Sequence, residues 1–315
     1  MNKWKKFTDS LKNTDIFGRA EDIQYLVRDD DLDKAKLSLI KNLNKKPKSA
    51  SLLFMMGYVL FQKEEYRSAV EYYDKVLDIK HDDTTIYNKA EILIQFLNDP
   101  EGGLKTIESY RGHYKFEQKI QELKAIALLN LENFSECEKI CVNIIEKNSS
   151  ALGCIHTYAD CCYEQGNFQK SFDLNETILE MDSTDVDAKN NKVDLLIKLE
   201  RYDDSLKICN DMISQNSSDE QALANKGEIF VKKSQFKDAI ISLQNCVSLD
   251  STYDEAWILL AKAQAQQNLI EDALDSLLVA TSLEPELLDE LKDDSFDNIR
   301  NHVRFQRLIS KQSET

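Results

Sequence analysis

Five cysteines crowd one region of this chain: Cys137, Cys141, Cys154, Cys161 and Cys162. Thiolates are soft metal ligands and redox nucleophiles, so such a cluster could hold a metal or form a redox pair. The spacing matches no zinc motif. The alternative is that these are small apolar side chains in a core, which is the expectation, and zinc or iron at one equivalent in the purified protein would overturn it. Seven cysteines in all, an odd number, suit reduced thiols better than a disulfide framework. His81, His113, His156 and His302 stand in separate segments, so no two share ligand spacing and none has a nucleophile beside it in a recognisable motif. There is no phosphate loop, and carboxylates such as Asp29 to Asp31 and Asp293-Asp294 fall in turns or on outer helix faces, where solvated charge is ordinary. No cofactor and no enzymatic activity are expected.

The elements that position these residues come from one repeated hairpin, clearest from Ala50 to Asp83. Leu53, Met56, Gly57 and Leu60 fall at i, i+3, i+4 and i+7 and share one helix face, and Gln62 to Glu65 breaks the pattern. Tyr66, Ala69, Tyr73 and Val76 share one face of a second helix, and so short a connection makes the two antiparallel. One hairpin buries too little to be stable alone, so it requires stacked copies.

Eight glycines and three prolines in 315 residues argue against sandwiches and barrels and for an all-α chain, and 42% apolar residues is ample for burial. A net charge of −16 argues against duplex nucleic acid or an anionic membrane as partner, because phosphate binding draws on Lys and Arg. No stretch is long and apolar enough to span a bilayer, and Met1 to Asp15 lacks the apolar run of a secretory signal. A cytoplasmic protein is expected. The sequons at Asn148, Asn175 and Asn216 are then chance matches.

The hairpin register recurs every 34 residues, with repeats starting at Ile16, Ala50, Thr84, Gln118, Leu152, Val186, Glu220 and Asp254. Position 20 reads Ala35, Ala69, Gly103, Cys137, Ser171, Ser205, Ala239 and Ala273, small in all eight. Position 17 reads Leu32, Tyr66, Pro100, Phe134, Phe168, Tyr202, Phe236 and Ile270, bulky groups entering the second helix. Position 8 is mostly small: Gly57, Ala125, Ala159, Gly227 and Ala261. Large against small at fixed places is how stacked surfaces interlock. Cys137 and Cys141 occupy core positions 20 and 24, and Cys162 core position 11.

This pattern resembles the tetratricopeptide repeat family over residues 16–287. The resemblance implies an α-solenoid of antiparallel helix pairs, a right-handed superhelix with a concave groove, closed by a C-terminal capping helix. Position 32, proline in the family, is proline only at Pro47 and Pro285; Ser149, Ser183, Ser217 and Ser251 replace it, are expected to cap the next helix, and Ser217 with Glu220 has capping-box spacing. The third repeat departs most, with Asp99-Pro100-Glu101-Gly102-Gly103 at its turn and Glu91 at a small position, and is the expected flexible joint.

Function is expected in the groove. In the resembled family, positions 2, 5, 9 and 12 of each first helix line the concave surface. In the second repeat these are Ser51, Phe54, Tyr58 and Phe61, three aromatics that the hairpin's own second helix is expected to leave uncovered. Ile92 and Gln95, then Ile126 and Leu129, continue an apolar half. His156, Asp160, Tyr163, Asp187, Asn190, Asp194 and Glu228 line a polar, acidic half, where Asn191 and Asn225 at position 6 could bond a peptide backbone. The resemblance thus implies a non-catalytic scaffold for a protein or peptide with apolar anchors at one end and basic residues at the other. The clamp of chaperone-binding members is absent, with Ala20 and Gln24 in place of Lys and Asn. The competing readings are that the aromatics are covered by the chain itself, and that the protein is a self-associating structural or regulatory subunit.

Two segments flank the repeats. Trp4, Phe7 and Leu11 among Lys3, Lys5, Lys6 and Lys12 give residues 1–15 a basic amphipathic pattern, expected to cap the first repeat or to dock in the groove. Residues 288–315 carry Leu288, Leu291, Phe296, Ile299, Val303 and Leu308, expected as one or two closing helices, with Arg300, Arg304, Arg307 and Lys311 as a basic outer stripe.

Overall fold

The computed structural model describes residues 31–109 and 117–311. The amphipathic segment at residues 1–15 and the first helix of the first repeat lie outside them. Among the described residues the ordered elements are all helical. They are α1 (Leu32–Lys45), α2 (Ala50–Gln62), α3 (Tyr66–Ile79), α4 (Asp83–Gln95), α5 (Pro100–Ile107), α6 (Glu117–Asn130), α7 (Phe134–Lys147) and α8 (Leu152–Glu164). There follow α9 (Phe168–Met181), α10 (Val186–Lys198), α11 (Tyr202–Gln215), α12 (Glu220–Lys232), α13 (Phe236–Leu249), α14 (Asp254–Gln266), α15 (Ile270–Leu283) and α16 (Val303–Lys311). Two 3₁₀ segments, Pro285–Lys292 and Asp294–Phe296, precede α16. None of these helices is long and apolar enough to cross a membrane. The chain divides within α8 into two compact units, Met1–Cys161 and Cys162–Thr315.

Every second helix begins at the bulky position 17, from Leu32 to Ile270. Every position-20 residue is buried, from Ala35 and Ala69 at 0% exposure to Ala239 and Ala273 at 0%, so the small side chains lie where helices cross. Within each compact unit a second helix packs on its own first helix and on the first helix of the next repeat, the connectivity of an α-solenoid.

The turn between paired helices has a uniform conformation. Its position 15 is left-handed at Glu64, Asn98, Glu132, Gly166, Glu200, Ser234 and Asn268, with φ between 50° and 72°. The following amide then bonds back across the helix end, as in Glu65 N to Leu60 O at 2.9 Å and Asn167 N to Cys162 O at 2.8 Å, satisfying carbonyls that the helix leaves free. Only one of the seven is a glycine.

Packing between paired helices explains the glycines at position 8. A Cβ on Gly57 would stand 2.6 Å from Tyr73 Cε1, and one on Gly227 would stand 2.4 Å from Leu243 Cγ. Where Val193 holds position 8, the facing position 24 is Cys209 instead, and both are buried in one cluster. Tyr73 and Leu243 at position 24 thus sit over glycines. Ser205 at position 20 reaches the Val193 carbonyl at 3.0 Å, which measures how closely those helices approach.

Two local expectations are corrected. Asp185 and Asp219 cap the next helices rather than Ser183 and Ser217, α14 follows Tyr253 with no side-chain cap from Ser251, and Ser49 and Asp82 cap α2 and α4. Asp219 accepts from Ala222 N at 2.9 Å, and because Glu220 is the first helical residue it cannot close a capping box with Ser217. At the C-terminus Leu288, Leu291 and Phe296 fall in 3₁₀ turns, interrupted where Asp293 caps Ser295 N, and Val303 is 62% exposed. Phe296 and Phe305, ring centroids 6.0 Å apart, cover the last repeat with Leu291, Ile299 and Leu308. The basic stripe staples this cap: Arg300 donates to Asp297 and to the carbonyls of Leu291, Lys292 and Asp293, and Arg304 to Glu271 and Asp275. Lys262 joins it from α14, 2.8 Å from Glu290 and 3.0 Å from Asp293.

The third repeat keeps the fold with a second helix, α5, of 8 residues where the others have 14. Asp99 caps Gly102 N at 2.8 Å with Pro100 in the first turn, and Gly103 leaves room for Ile94, which a Cβ would meet at 2.3 Å.

Candidate functional site

In the first compact unit the aromatic positions converge, but inward. Phe54 is 1% exposed, Tyr58 9% and Ile92 1%, and all three belong to one core cluster with Leu53, Met56 and Tyr73. This corrects the expectation that the hairpin leaves Phe54 and Tyr58 uncovered. Tyr73 lies over Gly57 and reaches Phe54, ring centroids 5.5 Å apart, so α3 does cover it. Burial also pushes the Tyr58 hydroxyl up to about 12.

Phe61 remains half-buried at the edge of that cluster. It meets Phe96 edge-on at 5.3 Å, and Phe96 stacks on Tyr66 at 4.7 Å. Phe96 is 41% exposed and was not singled out from the sequence, since it falls at position 13, just beyond the helix. Gln95 and Asp160 are exposed, and Ile126, Leu129 and His156 are half-buried. Ile126 packs beside Tyr87 on the cluster of Ile94, Ile107 and Ile120. Of the expected apolar half, Phe54, Tyr58 and Ile92 are therefore core, and Phe61, Ile126 and Leu129 stay partly exposed.

The cysteines of the first compact unit also lie in the core. Cys137, Cys141, Cys154 and Cys161 are each 0% exposed, on α7 and α8. Among the described residues no three His, Cys, Asp or Glu side chains converge as a metal site requires.

The second compact unit keeps a polar first-helix surface. Tyr163, Asp194, Glu228 and Glu255, from α8, α10, α12 and α14, share one electrostatic neighbourhood with Lys198 and Lys232. Burial raises the pKa of the Glu228 carboxyl; Asp194 and Glu255 push it further up, while Lys232 and Lys198 pull it down. Burial likewise raises the Tyr163 hydroxyl, and its hydrogen bond to Asp194 adds to the shift. Negative charge there is thus held against its own repulsion and partial desolvation. Asn191 and Asn225 are half-buried, and Asn225 Oδ1 accepts from Gln221 Nε2 at 3.1 Å, with Tyr253 donating to Gln221 at 2.8 Å. Asn190 Oδ1 is buried with no partner. Glu255, Lys198 and Lys232 were not identified from the sequence, because their proximity depends on how three successive repeats align.

Two stretches of the chain, residues 50–83 and 220–253, match the model of the tetratricopeptide repeat. No curated protein sequence matches the chain. Among solved structures it is similar to a tetratricopeptide repeat protein from Parabacteroides merdae ATCC 43184, 17% identical, with a TM-score of 0.63 over 76% of this chain and 95% of that one. It is also similar to the C-terminal part of a TPR repeat-containing protein from Cytophaga hutchinsonii, 14% identical, with a TM-score of 0.57 over 78% of this chain and 99% of that one. At these identities the likeness is one of fold. Each compact unit thus holds one stretch that matches the tetratricopeptide repeat, and its helix pairs stack as an α-solenoid.

Proposed function

We propose that this protein is a non-catalytic scaffold that holds a basic segment of a partner protein on the first-helix surface of its second compact unit. One observation carries this reading: Glu228 is a partly desolvated carboxyl kept beside Asp194 and Glu255. Lys232 and Lys198 offset that cost only in part, and a carboxyl left partly frustrated is characteristic of binding sites. A Lys or Arg side chain placed there would relieve the repulsion and donate charge-assisted hydrogen bonds to these carboxylates. Phe54 and Tyr58, buried in the core of the first compact unit, contribute nothing to it.

A random-peptide display library selected on the full chain tests the proposal. Enriched peptides should be rich in Lys and Arg, bind more weakly at high salt, and lose about tenfold or more in affinity to Asp194→Asn with Glu228→Gln. Because the Glu228 carboxyl protonates above its ordinary range, binding should also weaken on mild acidification. Enrichment of sequences without basic residues, or equal binding by the double variant, refutes it.

A further inference from the structure

A cleft of about 220 Å³ opens between α15 and α16 in the second compact unit, lined by Leu274, Leu278, Arg304, Arg307 and Leu308. Leu274 and Leu308 are buried and form its apolar floor, and Leu278, 43% exposed, forms its rim. Arg304 is fixed as one wall, its Nη1 donating to Glu271 Oε2 at 2.6 Å and its Nη2 to Asp275. Arg307 is the other polar member. It is exposed, and among the described residues its guanidinium has no hydrogen-bond or ion-pair partner. The cap thus engages Arg300 and Arg304 of the basic stripe and leaves Arg307 unpaired.

The repeat register sets Leu278 apart. It stands at position 25, where Glu176 and Asn210 of the same unit reach the first helix of the next repeat, accepting from Lys192 at 2.8 Å and from Lys226 at 2.7 Å. Asp74 does the same with Lys89 in the first unit. After the last repeat the chain supplies α16 in place of another first helix, and the position becomes apolar. A half-covered leucine beside an unpaired arginine is a surface that an apolar group and an anion complete together.

Volume and charge select the occupant. Small-molecule sites enclose roughly 300–1,000 Å³, so this cleft is sized for one side chain rather than a whole ligand. Arg307 favours a side chain that arrives with a carboxylate. The chain itself offers poor candidates: Gln312, Ser313, Glu314 and Thr315 include no apolar side chain, and Trp4, Phe7 and Leu11 stand among four lysines, like in charge to Arg307. We propose that the cleft anchors an acidic segment of a partner protein, which inserts one aliphatic side chain between α15 and α16 and sets a neighbouring carboxylate on Arg307. The site is built from a second helix and the cap rather than from first helices, and it selects the opposite charge, so it stands independently of the basic segment proposed above.

Leucine-methyl NMR of the full chain tests the proposal, with a short Gly/Ser peptide carrying a single Leu-Glu-Glu as probe. The methyl signals of Leu278 and Leu308 should shift and saturate. Apparent affinity should fall about tenfold in Arg307→Glu and decline at high salt. Leu278→Gln, which copies Gln244 of the preceding repeat, should weaken binding to a similar extent, read at Leu308. Both substitutions are at exposed positions, so the variants should melt with the parent. Peptides carrying Leu-Lys-Lys or Ala-Glu-Glu instead should bind about tenfold more weakly or worse. Equal binding by either of these, an affinity unchanged in Arg307→Glu, the same shifts on concentrating the protein without peptide, or no shift at Leu278 and Leu308 would each overturn it.

Discussion

Replacing Gly166 by alanine should destabilise the protein, although there is room for the methyl group. Gly166 occupies the left-handed turn after α8 at φ 72°, and a Cβ built there meets nothing within 4 Å. Packing therefore contributes nothing, and the backbone alone sets the effect. A left-handed alanine costs about 1–2 kcal/mol, offset by roughly 0.4–1 kcal/mol because alanine restricts the unfolded chain. The net loss is about 1 kcal/mol. Gly153 supplies the control, since it lies inside α8 with equally open space around it, and alanine there should gain about 0.5–1 kcal/mol. The same substitution at two positions on one hairpin should thus move stability in opposite directions, separated by about 2 kcal/mol. Circular dichroism melts should show Gly166→Ala lowered and Gly153→Ala raised, by about 2 °C each. Glu132→Gly, at the equivalent turn with φ 57°, should rise like Gly153→Ala. A Gly166→Ala protein as stable as the parent would refute the assigned turn conformation.

Other perturbations test the packing and the cap. Ala69→Leu or Ala239→Leu should overpack a helix crossing that is 0% exposed and cost about 1–3 kcal/mol; an unchanged urea midpoint would contradict the register. Asn175 is 1% exposed, its amide nitrogen bonds the Ser171 carbonyl at 2.9 Å, and its Oδ1 has no partner. Asn175→Leu should therefore stabilise by about 1 kcal/mol in urea unfolding, since Leu243 and Leu277 hold the same position in later repeats. Burial raises Asp293, but hydrogen bonds from Ser295 and the Lys262 ammonium outweigh this and hold its carboxyl at about 2. A depressed acid stabilises above its unfolded pKa, near 4, and that contribution fades as pH falls toward 2. The urea midpoint should drop across that window, and less steeply in Lys262→Met.

Several features of the fold were legible in the chain because they rest on short-range periodicity. Positions 17 and 20 mark the start of each second helix and its crossing point, since bulky and small side chains four residues or fewer apart already state which helix face is inward. The caps were misread by two residues, because Ser217 and Asp219 are both good caps and only the observed helix start chooses between them. The left-handed turns at Glu64, Glu132 and Glu200 carried no sequence signal, as glutamate has no preference for that conformation. The aromatics were misassigned for a different reason. Counting positions on one helix places Phe54 and Tyr58 away from the hairpin seam but says nothing of how far Tyr73 reaches once Gly57 removes a Cβ from its path.

What the residues determined by themselves is the repeat and its register, because every hairpin is local and its interlocking residues recur at a fixed interval. What only the tertiary structure decided is which surfaces remain available. Coverage and charge depend on side chains brought from other helices, so Phe54, Tyr58 and Ile92 pass into the core, the basic stripe into a cap, and Glu228 into a carboxyl held beside two others.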